Sequence, residues 1–173
     1  LDLVAEIIGG APRLAEHLSR RPFILDSVLT ADFFEPPPSP EALNEELERL
    51  LVPAASIEDV LDVCRRWAHD RRFQIGVQSL RENIEPWAAG IALSNIAEVV
   101  LTHLLRHVES EFVHQHGRIA GSDLVIIAMG KLGGREMTQT SDLDLIFVYT
   151  VPEGTEVSDG ARPLSSGHYF ARL

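Results

Sequence analysis

Between Leu1 and about Gly117, apolar residues recur at spacings of three and four, the period of helices that bury one face. The phrases "LVAEII", "RLAEHL" and "PFILDSVL" each carry it, and Pro12 and Pro22 stand where a first helical turn accepts proline. "EPPPSP", Glu35 to Pro40, cannot lie inside a helix, because proline has no amide to donate and clashes with the preceding turn. It predicts a rigid connector. Ser39 is placed to cap a helix that Pro40 opens, "PEALNEELERLL", with Leu43, Leu47, Leu50 and Leu51 on one face. Ser56 and Asp59 have the spacing of a capping box, with Asp in place of the usual Glu, and start the helix "VLDVCRRWAHDRRFQIGVQSLR". Pro86 opens the longest helix, which Gly117 ends with a left-handed stop.

After Gly117 the period shortens. "SDLVIIAM" and "LDLIFVY" are short runs of branched and aromatic residues bounded by Gly, Ser and Thr, and they read as strands. In the second, Ile146 and Val148 share a face with the preceding aspartates, while Leu145, Phe147 and Tyr149 take the other. Apolar residues on both faces predict an interior strand covered on both sides, with its acids at the open end. "TVPEGTEVSDGARP" is a polar loop with turn signals at Glu153-Gly154 and Asp159-Gly160, and "SSGHYFARL" begins another helix. The fold class expected is α+β: a helical region over 1–117, then the start of a mixed-sheet domain over 118–173. Leu1 in place of an initiating Met, and a helix running into Leu173, lead us to expect a longer parent chain.

Composition narrows the function. The chain is 45% hydrophobic, ordinary for a globular protein, and carries a formal charge of −11. That charge argues against a surface for nucleic-acid polymers, whose binding is driven by Lys and Arg releasing counterions. Cys64 is the single cysteine, so no internal disulfide is expected and the reducing cytoplasm fits. No apolar run is seen to approach the roughly 20 residues of a membrane span, and the first residues lack the basic start of a signal peptide. The expectation is a cytoplasmic protein without a membrane partner.

The chemistry concentrates in "MGKLGGREMTQTSDLDLIFVY", Met129 to Tyr149. Strand residues alternate faces and rise about 3.3 Å each, so Asp142 and Asp144 are expected to point the same way, able to converge on one hard cation. Gly130, Gly133 and Gly134 form a turn expected to reach positive φ and bring backbone amides close to an anion. Lys131 and Arg135 can add positive charge, and Ser141 can donate its hydroxyl to a phosphate oxygen. The combination points to Mg2+ and the triphosphate of a nucleotide. Taken alone, D-x-D is equally a pair of turn-capping aspartates, the glycines a tight hairpin, and the two cations ordinary solvated charges. A P-loop fails on spacing, because Leu132 follows Lys131 where Ser or Thr is needed, and "GKLGGRE" contains no G-x-G-x-x-G. His103 and His107 have the i, i+4 spacing of a zinc pair but no evident third ligand, so a structural role is expected.

A glycine turn at a strand end, about ten residues, then S-D-x-D-L opening the next strand, resembles the DNA polymerase β-like nucleotidyltransferase superfamily. The fuller wording, with "SDGARPLSSGHYFARL" downstream and "RRFQIGVQSLR" and "EFVHQHGRI" upstream, is similar to the glutamine synthetase adenylyltransferase family. The resemblance implies a two-headed enzyme. One head transfers AMP from ATP to a tyrosine hydroxyl of glutamine synthetase, and the other removes it by phosphorolysis, under control of a PII-type signal protein. The wording here is more similar to the adenylylating head, with the cleaving head as the alternative. Residue by residue, the resemblance implies Asp142 and Asp144 as metal ligands, Gly130 and Ser141 as triphosphate contacts, and a third carboxylate beyond Leu173. A different class of reading makes the helical part an interaction module for protein partners.

Overall fold

The computed structural model describes Ile7, residues 9–20 and residues 31–173. The helix expected over "PFILDSVL", with Pro22, lies outside these residues, as does nearly all of "LVAEII". In chain order the elements are α1 (Pro12–Arg20), a 3-10 turn (Ala31–Phe34), α2 (Pro40–Leu51), α3 (Ile57–Leu80) and α4 (Pro86–His116). Then follow β1 (Asp123–Ala128), α5 (Gly130–Gly133), β2 (Leu145–Thr150) and α6 (Ser166–Arg172). This is the α+β composition expected.

The helix starts form where the sequence places them. Ser39 Oγ accepts the Ala42 amide at 3.3 Å, satisfying a donor that has no intrahelical partner. At α3 the box closes both ways: Ser56 Oγ accepts the Asp59 amide at 3.1 Å, and Asp59 Oδ2 accepts the Ser56 amide at 3.0 Å. The bond to the Ser56 side chain, then that from the Ala55 amide, lower the pKa of Asp59 below its ordinary value.

The α2 stripe of Leu43, Leu47 and Leu51 packs against Val60, Cys64 and Trp67 of α3 and against Leu93, Ile96 and Val99 of α4. Leu50 is corrected to the surface, 45% exposed, because the buried stripe follows the spacing of four and Leu50 lies a full residue step around the helix from Leu51. Each leucine fully buried in this way contributes about 1.5–3 kcal/mol. A second cluster joins Phe73 and Val77 of α3 to Leu14, Leu18 and Phe33. Gln74 and Gln78 bind it to the 3-10 turn, their Nε2 groups donating to the Phe33 carbonyl at 3.0 and 2.8 Å.

One expectation about α4 needs correction. This helix is long and apolar enough to cross a membrane by length and composition, and half of the stretch concerned is buried within the protein. Its polar residues explain the sequence reading. Ser94 donates to the Gly90 carbonyl at 2.9 Å, His103 Nε2 meets Asn44 Oδ1 of α2 at 3.0 Å, and Asn95 and Glu98 bind Arg135. They break up the apolar run because α4 is the central helix, with neighbours on several sides.

The strands pair antiparallel, with Asp123 opposite Thr150 and Ala128 opposite Leu145. Among the described residues only the Ala128 and Leu145 end rests on the helical core. The expectation of a strand covered on both sides is therefore overturned. Among the described residues β2 has one neighbouring strand, and Ile146, Phe147, Val148 and Tyr149 are all exposed, Phe147 to 60%. Tyr149 stacks on Phe170 of α6 at 4.2 Å between ring centroids, which covers little of either face.

Gly117 ends α4 at φ +72 and ψ −161, a positive φ as expected but swung into an extended exit. A Cβ there would stand 2.1 Å from the Gly160 amide nitrogen. The close approach is locked by the Gly160 amide donating to the His116 carbonyl at 3.1 Å and by Asp159 Oδ1 accepting the Arg118 amide at 2.7 Å. The hydroxyl of Tyr169 donates to the Gly117 carbonyl at 3.0 Å. "SDG" is thus a clamp on the end of α4.

Candidate functional site

Antiparallel pairing brings the end of β1 and the start of β2 to the same place. One step past Ala128 and Leu145, the Met129 amide donates to the Asp144 carbonyl at 2.8 Å, setting Asp144 beside the glycine turn. Gly130 follows at φ +52, and a Cβ on it would come within 2.4 Å of Asp144 Oδ2. Glycine is required twice over here, for the left-handed backbone and for the space the carboxylate occupies.

The rest of the turn departs from expectation. Residues Gly130–Gly133 form a single helical turn, and Gly134 caps it at φ −80. Neither Gly133 nor Gly134 reaches positive φ; the left-handed residue is Arg135, at φ 57. The Glu136 amide bonds the Lys131 carbonyl at 2.8 Å and the Arg135 amide the Leu132 carbonyl at 3.0 Å, a Schellman stop with arginine where glycine is usual. Gly133 serves close packing, since a Cβ there would lie 2.5 Å from the Ala128 carbonyl oxygen.

Arg135 tolerates this backbone because its side chain is held. Its guanidinium bonds Glu98 at 2.8 Å and also Asn95, both on α4. It faces the helices, so of the two cations proposed for a ligand Lys131 alone remains, exposed and with no hydrogen-bond or ion-pair partner for its side chain among the described residues. Ser141 closes the loop: its Oγ accepts the Thr138 amide at 2.9 Å and lies 2.9 Å from Thr138 Oγ1. The Ser141 proton can go to Thr138 or outward to an acceptor.

Asp142 and Asp144 are both exposed, and neither carboxylate has a hydrogen bond or ion pair among the described residues. Aspartates that cap a turn would hold backbone amides, as Asp59 does; these two do not. Among the described residues no group of three or more His, Cys, Asp or Glu side chains is placed to hold a metal; the two free carboxylates offer hard oxygen donors but not a complete cage. His103 is buried, and burial foremost, then Arg106, lower its pKa. With His107 Nδ1 bonded to the His103 carbonyl at 2.8 Å, these histidines serve helix packing.

Sequence reasoning missed the residues that hold the loop: Gly90, Asn95, Glu98 and the backbone role of Arg135. The signal was present in "AAGIALSNIAE", where a glycine and an amide interrupt an apolar helix without ending it.

Helices packed beside a two-stranded antiparallel ladder, with a glycine turn set against the Asp144 carboxylate, make this an α+β protein. The family model described as glutamate-ammonia ligase adenylyltransferase matches residues 1–173. The chain is 44% identical over 172 residues to the bifunctional glutamine synthetase adenylyltransferase/adenylyl-removing enzyme of Xanthobacter autotrophicus, covering 99% of this chain and 17% of that protein. It is 39% identical over 173 residues to the enzyme of the same name from Brucella suis, and 40% identical over 173 residues to that from Mesorhizobium japonicum. In both cases all of this chain and 18% of the relative are covered. The chain belongs to the glutamate-ammonia ligase adenylyltransferase family. It spans under a fifth of the length of these relatives.

Proposed function

We propose that this chain contributes the nucleotide site of an enzyme that transfers AMP from ATP to a tyrosine hydroxyl of glutamine synthetase. In this reading residues 118–173 begin a nucleotidyltransferase domain of the DNA polymerase β type, and residues 1–117 form the helical domain before it. The observation that carries the reading is the approach of Gly130 to the Asp144 carboxylate, which sets a glycine turn against one of the two unpartnered acids.

The donor set suits Mg2+, which takes one or two carboxylates and completes its shell with water and substrate phosphates. Asp142 and Asp144 would hold the ion. When bound, it neutralises charge on the triphosphate and favours loss of the tyrosine proton, a group with an ordinary pKa near 10. The chain's own residues orient the substrate. The first amides of α5, at Gly130 and Lys131, have no intrahelical acceptor and can take phosphate oxygens. Ser141 offers its hydroxyl proton, and Lys131 adds positive charge beside the turn. Gly133 and Gly134 support the turn's shape more than they touch a ligand.

The partner in this reading is glutamine synthetase, with a PII-type protein as regulator, in the cytoplasm. The decisive experiment is calorimetry with ATP, with and without magnesium, on the intact natural protein and on Asp142→Ala and Asp144→Ala. Metal-dependent binding lost in both variants supports the site. Binding that persists in both would refute it, and no metal-dependent binding at all would leave the helices as an interaction module. Release of AMP from modified glutamine synthetase by phosphate, without transfer from ATP, would assign the adenylyl-removing head instead.

A further inference from the structure

The segment between the glycine turn and the acids has no regular secondary structure, yet alternate residues of it are fastened to the helices. Arg135 bonds Asn95 and Glu98 of α4, Met137 is buried in the main core, and Gln139 reaches α3. The last contact is reciprocal: Gln139 Nε2 donates to the Arg72 carbonyl at 2.9 Å, and Arg72 Nη2 donates to the Gln139 carbonyl at 2.7 Å. Gly90 lets the strap approach α4, since a Cβ there would lie 3.2 Å from the Arg135 carbonyl oxygen and 3.4 Å from that of Met137. Between Gln139 and Asp142 stand only Thr140 and Ser141, and Ser141 is itself tied to Thr138. On the far side Asp144 is fixed by the Met129 amide.

From this bracketing we infer that Arg135 and Gln139 are positioning residues for the nucleotide site, so that the α3–α4 pair sets how tightly Asp142 and Asp144 share a cation. The inference rests on the nucleotidyl-transfer reading above. Asp142 hangs between two fixed points, and each residue extends the chain by at most about 3.6 Å, so its carboxylate has little room to wander. Acids held in place before the ligand arrives lose less freedom on binding, and a misplacement of about 1 Å is enough to weaken such a site severely. The buried Met137 supplies packing alone; the polar anchors on either side fix the strap's register along the helices.

The test compares Gln139→Ala, Arg135→Ala, Arg135→Lys and Gly90→Ala with Asp142→Ala in the intact protein, measuring magnesium-dependent ATP affinity, KM, kcat and Tm. Gln139→Ala and Arg135→Ala should weaken Mg-ATP binding about tenfold, raising KM and the magnesium requirement more than they lower kcat. Arg135→Lys should restore part of that loss. Gly90→Ala keeps every polar anchor and improves helix propensity, but crowds the strap, so it should weaken binding several-fold without lowering Tm. Because it does not depend on a truncated anchor, it decides the matter if Gln139→Ala fails to fold. Binding within twofold of the natural protein in Gln139→Ala and Gly90→Ala, with Asp142→Ala inactive for binding, would overturn the positioning role and leave the site intact. Unchanged binding in Asp142→Ala would overturn the site itself, and the inference with it.

Discussion

The α-carbon of Gly130 lies against the carboxylate of Asp144, leaving no space for even a methyl group between the turn and the acid. Two residues fourteen apart in sequence thus share one small volume because β1 and β2 run antiparallel and the ladder continues one bond past its regular end.

Gly130→Ala should therefore act on stability and on ligand binding together. Holding a side chain at φ +52 costs about 1–2 kcal/mol, and the new methyl must push Asp144 aside. Chemical denaturation should show the loss of stability, and calorimetry should show magnesium-dependent ATP binding reduced by more than that loss of folded protein explains. Normal affinity in the folded variant would mean that Asp144 is not a ligand.

His103 gives the helical layer a pH dependence. Its folded pKa is held below the ordinary 6.5 by burial first and by Arg106 next. The unfolded chain consequently takes up the proton first as pH falls. The stability due to neutral His103 is complete above about 6.5 and is lost as pH drops from there through the folded pKa. Denaturation midpoints between pH 5 and pH 8 should fall on the acid side, and His103→Gln should flatten that fall. Retention of the full slope in the variant would assign it to other groups.

Gly117→Ala should open the clamp at the end of α4. A positive φ costs a side chain about 1–3 kcal/mol, and here the methyl also meets Gly160 backbone. Limited proteolysis should then cut within 156–164 faster than in the natural chain, while the α2–α3–α4 core keeps its hydrogen-exchange protection. Equal cutting rates would show that Asp159 and Tyr169 hold the loop without the glycine contact.

The helices were legible because their starts are local. Ser39 with Pro40, Ser56 with Asp59, and Pro86 each act within one turn, and the structure places all three where the sequence does. The stop at Gly117 was legible for the same reason. The strands were legible as elements, but their surroundings were not: a residue pattern reports what a strand can bury, whereas Phe147 is covered only if something else lies over it. The acids and the leading glycine stood out in the sequence. The strap did not, because Arg135 as a left-handed helix stop depends on Asn95 and Glu98, some forty residues earlier. Gly133 and Gly134 attract attention as glycines, yet the strained backbone belongs to their charged neighbour.

The uncovered ladder has a practical corollary. Val125 pairs with Val148 and Ile127 with Ile146, greasy rungs open to water, and among the described residues each strand has no second neighbour to take the amides and carbonyls of its outer rim. Such a ribbon recruits further strands wherever it finds them. Purified by itself, the chain should become sticky as it is concentrated, with clumping seeded at β1 and β2 and not among the well-capped helices.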